Sequence, residues 1–126
     1  MQLRQLNTES ITTLVHTFYD DVRAHPELSP VFGAAIGENW DPHLARMVDF
    51  WSTVMLGSRN FQGNVFGKHM LVENVEPQHF RLWFDLFEKA VVSLFETDVA
   101  EEFMTVARRI GGSLQYGFFG QVHVPQ

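Results

Sequence analysis

Three stretches of this chain carry apolar residues at helical spacing, and each sets one polar-tipped ring on its apolar face. Ile11, Leu14, Val15, Phe18, Tyr19 and Val22 follow an i, i+3, i+4 pattern. His43, Met47, Phe50, Trp51, Val54 and Met55 do the same, and so do Phe80, Trp83, Phe84, Phe87, Val91 and Leu94. A period near 3.6 residues describes a helix that buries one side. Tyr19, His43 and Trp83 therefore turn inward, where a hydroxyl, an imidazole or an indole N–H needs a hydrogen-bond partner. A fold for this chain has to bring three helices around a small interior that gives those tips something to bond.

The punctuation between these stretches predicts the order of elements. Asn7 or Thr8 caps the first helix, which should stop before Pro26. Residues 26–38 contain Pro26, Pro30, Gly33 and Gly37 and read as a connector with one short turn at Pro30-Val31-Phe32. Asp41-Pro42 predicts the next start, with Asp as cap and Pro in the first turn, and Gly57 the end. Residues 58–76, with Gly63, Gly67 and His69, form a long irregular stretch of a kind that usually carries function. Glu76-Pro77 opens the third amphipathic helix. Asp98 with Glu101 makes a capping-box-like start for a last one, with Phe103, Val106, Ala107, Ile110 and Leu114 inward. No β-alternation persists and no repeat or linker occurs, so the expected fold is all-α in a single domain, 1–126.

A length of 126 residues supports one core and room for a mid-sized prosthetic group. The formal charge of −6, with no basic cluster beyond Arg108-Arg109, argues against nucleic acid as a partner. Cysteine is absent, which removes disulfides and thiolate metal sites and suits a reducing cytoplasm. The start, Met1-Gln2-Leu3-Arg4-Gln5, lacks the apolar stretch of a signal peptide, and no run is long enough to span a bilayer. The expectation is a soluble cytoplasmic protein without a membrane partner.

Metal sites built from side chains alone are hard to assemble here. The histidines at 16, 25, 43, 69, 79 and 123 never recur at i+3 or i+4, the spacing of a helical zinc site. Glu76-Pro77-Gln78-His79 is one Glu-x-x-His, whereas a di-iron bundle needs two, and this copy lies across a helix cap. No Gly-rich phosphate loop or nucleophile elbow appears, and no residue is assigned a catalytic role. What remains is an iron whose equatorial ligands come from a porphyrin, with one histidine supplied by the protein. The alternative is a haemless helical interaction or sensor domain in which the same side chains are only core.

From Asn7 to about Phe118 the sequence resembles the truncated haemoglobins, the two-over-two globins, and specifically their third group. Phe18-Tyr19 resembles the Phe-Tyr pair of the first long helix, whose tyrosine contacts bound ligand. Phe32 resembles the phenylalanine that stacks on the haem. His43, followed by Phe50-Trp51, resembles the distal helix of group III, and Trp83 the tryptophan of the distal pocket in groups II and III. His69, preceded by the basic Lys68, is similar to the proximal ligand. Isolated Gly33, Gly37, Gly63 and Gly67, in place of Gly-Gly pairs, are like group III. Met47 stands where the family more often has a branched aliphatic facing the ligand, a departure that bears on pocket volume and ligand access.

The resemblance implies a two-over-two helical sandwich enclosing haem b, with gas ligands O2, NO and CO. Neutral His69 would ligate iron through one ring nitrogen and donate from the other to a loop or backbone partner. O2 takes on negative charge when it binds ferrous iron. Tyr19 and Trp83 would donate to that charge in bonds worth about 1.5–3 kcal/mol each. His43, near the pocket mouth, would gate entry or add a third contact, and Phe50 would line the haem. Arg46 is placed to reach a propionate, with an ordinary solvated arginine as the alternative. Tight O2 binding, with reaction of nitric oxide or peroxide, fits this set better than transport. Turnover as a nitric oxide dioxygenase or peroxidase would need an external reductase, since no reductase domain is attached.

Overall fold

Asn7 and Ser10 close the start of the first helix on each other. The Ser10 N–H donates to the Asn7 Oδ1 at 2.8 Å, and the Asn7 N–H donates to the Ser10 hydroxyl at 3.0 Å. This reciprocal box satisfies backbone donors that a helix N-terminus otherwise leaves open. From it runs α1 (Thr8–Ala24), followed by α2 (Leu28–Ile36), α3 (Trp40–Leu56), α4 (Pro77–Leu94) and α5 (Thr97–Phe119) in the computed structural model, which describes residues 3–57 and 75–119. Among the described residues there is no strand, and no helix is long and apolar enough to cross a membrane.

Three boundaries differ from the sequence expectation, each for a local reason. Most of the expected connector is the helix α2. Pro30 occupies its first turn, where a proline's missing N–H and fixed φ do no harm, and Gly37 ends it at φ +62°. α3 starts one residue before Asp41, because Asn39 is the cap and accepts the His43 N–H at 3.0 Å. Asp41 and Pro42 then fall inside the first turn. In α5 the Ala100 N–H donates to the Glu96 carbonyl at 2.9 Å, so the helix begins at Thr97 ahead of Asp98. The Asp98 Oδ1 accepts the Val99 N–H at 2.9 Å.

The other predicted ends hold. Gly57 closes α3 in the left-handed conformation at φ +70°, which a residue with a Cβ adopts only at a cost. Pro77 leads α4, and the Glu76 N–H donates to the His79 Nδ1 at 2.9 Å. The lone Glu-x-x-His is thus a helix cap in which both side chains are occupied with backbone.

α1 lies against α2, α3 and α4, and α4 against α5. Two helix pairs, α1 with α3 and α4 with α5, meet across the α1–α4 contact. Phe87 sits at their junction. Its ring stacks on Trp51 at 5.0 Å and on Trp83 at 5.4 Å, and meets Phe18 edge-on at 5.3 Å. Trp51 reaches on to Phe103, itself stacked on Phe95 at 5.1 Å. Ring pairs of this kind contribute about 0.5–1.5 kcal/mol each beyond their buried area. Removing Phe87, which is 2% exposed, should therefore sit in the range of about 3–5 kcal/mol for a buried aromatic truncated to Ala.

Candidate functional site

Phe18 and Tyr19 are neighbours on α1, about 100° apart around the helix axis, and they address different surroundings. Phe18 turns into the core stack, edge-on to Trp83 at 5.9 Å and to Phe87. Tyr19 turns toward α2 and α3, where its ring meets His43 at 5.0 Å and 88°, Trp40 at 6.0 Å and Phe32 at 6.2 Å. Three helices thus converge on one phenol.

Tyr19 is only 8% exposed. Burial raises its pKa far above the ordinary value of 10.0, because the phenolate would lose its hydration. The hydroxyl therefore stays protonated wherever the chain is folded at ordinary pH, and it presents a donor. His43 stands on the first turn of α3, half-buried, with its Nε2 out of reach of solvent. Its ring is edge-on to Trp40 at 6.0 Å and 89°. The Arg23 guanidinium, from the last turn of α1, lies 4.5 Å from the centre of the Trp40 ring.

Sequence reasoning missed Trp40 and Arg23. The Asp41-Pro42 signal put the helix start after Trp40 and so outside the periodic pattern. Its aromatic character three residues before His43 was the available signal.

Of the residues expected at the site, the structure brings Tyr19, His43 and Phe32 together. Trp83 is half-buried in the neighbouring stack, its ring parallel to Phe87 within 2° and edge-on to Phe84 at 5.1 Å. Phe18 touches both Tyr19, at 4.9 Å, and Trp83, and so links the two groups. Met47 and Phe50 are half-buried against the core, and Arg46 is exposed on α3. Lys68 and His69 lie outside the described residues.

α3 buries only Trp51 and Ser52 fully. Leu44, Met47, Val48 and Phe50 along it, Phe32 on α2, and Leu82, Trp83 and Leu86 on α4 pack against the core but keep part of their surface open. Apolar walls beside a phenol, an imidazole and an indole suit a flat apolar group that carries a small polar ligand. The residues present fit a haem.

No protein-family model matches the chain. It is 30% identical over 118 residues to a group 3 truncated haemoglobin of Campylobacter jejuni, covering 91% of this chain and 93% of that protein. Its structure superposes on the crystal structure of a group III truncated haemoglobin from Campylobacter jejuni with a TM-score of 0.87 at 27% identity, over 98% of this chain and 100% of the other. Identity at that level over nearly the full length of both sequences, together with the same arrangement of helices, places the chain in the group III truncated haemoglobins.

Proposed function

We propose that this globin holds haem b with His69 as the protein ligand to iron and binds O2 beside Tyr19, His43 and Trp83. The observation that carries the reading is the buried meeting of Tyr19 and His43, where a phenol kept protonated by its surroundings faces an imidazole from another helix. Phe32, Met47 and Phe50 offer apolar contact to the porphyrin, and Arg46 and Lys68 offer charge to its propionates. Haem supplies a ferrous iron able to take a diatomic gas such as O2, NO or CO.

The chain's own groups then decide which gas is held and for how long. Trp83 can act only as a donor, because an indole N–H accepts nothing, and Tyr19, which stays protonated, keeps a hydroxyl proton to donate. Donors favour a ligand that gathers negative charge. A fixed donor needs no reorganisation when that charge appears, and the ring contacts of Tyr19 keep it fixed. O2 gathers far more charge than CO, so the two gases separate electrostatics from shape.

Spectra of the haem-loaded protein in ferric, ferrous and CO forms test the cofactor. Lack of a Soret band would return the chain to a haemless helical domain. Stopped-flow release tests the donors. Tyr19→Phe or Trp83→Phe should speed O2 release by roughly 10- to 100-fold each, the equivalent of a lost bond of about 1.5–3 kcal/mol. CO release should change much less. Equal changes for both gases would refute the electrostatic role.

A further inference from the structure

We propose that Trp40, clamped from outside by Arg23, is a positioning residue that holds the His43 imidazole edge-on to Tyr19 and so sets the rate at which a diatomic ligand enters. The inference rests on the haem reading above and assigns a role to two residues outside the expected site.

Trp40 is the first residue of α3 and His43 follows three residues later, so the two rings lie on one side of the first turn. They meet at 6.0 Å and 89°. Trp40 also meets Tyr19 at 6.0 Å, so Tyr19, His43 and Trp40 form a closed triangle of rings with one member from α1 and two from α3. A ring with both its neighbours in place has few directions left in which to swing. For His43 to rotate away from Tyr19, Trp40 has to yield.

Trp40 is itself only half-buried, and it stands at a helix end, where backbone order is weakest. What pins it is Arg23. The guanidinium lies 4.5 Å from the ring centre, well inside the range of a cation–π contact, where indole offers the best ring face and arginine is the commoner cation. Arg23 belongs to the last turn of α1, the helix that carries Tyr19 one turn earlier. The same helix therefore supplies the donor and the clamp, and α3 supplies the two rings between them. An outward swing of His43 requires the Arg23–Trp40 contact to open, which makes that contact the latch of the entrance.

The test is a double-mutant cycle on CO association with the haem-loaded protein, joined to the NMR shifts of the His43 ring protons in the CO form. Trp40→Leu should speed CO association roughly two- to tenfold and move the His43 ring-proton shifts, because the indole ring current is lost and the imidazole reorients. Arg23→Gln should act in the same direction by about two- to fivefold, the size of an exposed cation–π contact. Trp40→Phe, which keeps an aromatic edge, should stay within about twofold of the parent. In a His43→Leu background neither Trp40→Leu nor Arg23→Gln should change the rate further, since the gate they hold is gone. Full additivity in that background would overturn the proposal, as would an altered rate in Arg23→Gln with unmoved His43 shifts. A normal Soret band with additive effects refutes this inference alone, whereas a missing Soret band in the parent protein refutes the haem reading beneath it.

Discussion

Gly111 and Gly112 stand side by side in α5, and the same substitution should move stability in opposite directions at the two positions. A glycine in a helix interior costs about 1 kcal/mol relative to alanine, through the freedom it loses on folding. At Gly112 nothing lies within 4 Å of where a Cβ would be, so Gly112→Ala should recover most of that amount. At Gly111 the new carbon would stand 2.5 Å from the Phe84 Cζ and 3.0 Å from its Cε2. Carbons in good contact sit about 3.5–4.0 Å apart, so the ring would have to retreat by about 1 Å. Phe84 is 5% exposed, with the Trp83 ring 5.1 Å away, and has little room behind it. Overpacking of this kind costs about 1–3 kcal/mol, which cancels or outweighs the helix gain and leaves Gly111→Ala neutral to about 2 kcal/mol destabilised.

For a chain of this size 1 kcal/mol corresponds to roughly 3–6 °C in Tm. Thermal unfolding followed by far-UV circular dichroism should therefore place Gly112→Ala a few degrees above the parent and Gly111→Ala at or below it. Shrinking the obstacle provides the internal control, because in a Phe84→Leu background Gly111→Ala should lose its penalty. If Gly111→Ala raises Tm as much as Gly112→Ala does, the close approach of α4 and α5 is not what holds a glycine there.

Other perturbations bear on the site directly. His69→Ala should sharply reduce haem retention while changes at His16, His25, His79 or His123 should not, and a normal ferrous spectrum in the His69 variant would remove it as the iron's ligand. His43→Leu should keep its haem and change the CO association rate, whereas loss of haem would make His43 structural. At about pH 11, above the ordinary tyrosine range, the folded parent and Tyr19→Phe should show the same tyrosinate absorbance, and an extra tyrosinate in the folded parent would contradict the burial of this phenol. Linkage gives the sign: the unfolded Tyr19 ionises near 10.0 and the folded one only well above that, so its contribution to stability is complete below that pH and declines above it.

The parts of the fold legible in the sequence were those with strong local chemistry. Asn7, Gly57 and Pro77 mark helix ends by capping, by a left-handed residue and by a proline in the first turn, and the apolar residues between follow one period. α2 was not legible, because Pro30 and Gly33 are read as breakers unless their register in a nine-residue helix is known. Periodicity could say that Phe18, Tyr19, His43 and Trp83 turn inward, but not toward whom. The neighbours depend on how α1 sits on α3 and α4, which is a property of long-range packing. Trp83 shows this most plainly, as its ring lies parallel to Phe87 in the stack, one ring away from Tyr19. Trp40 escaped because a strong start signal one residue later hid its place in the helix.

The Phe18-Tyr19 pair joins the two halves of the molecule's chemistry. Phe18 is held by the same rings that fix α4 against α1, and Tyr19, the next residue, inherits that rigidity without taking part in the stack. A phenol on a mobile loop would lose conformational freedom each time it bonded to a ligand. On α1 most of that loss is met on folding, so the position of the phenol oxygen is set before any ligand arrives. With Tyr19 as the proposed donor to a bound gas, the apolar stack beside it is part of what aims that donor, and loosening Phe87 or Phe18 should weaken the donor as well as the core.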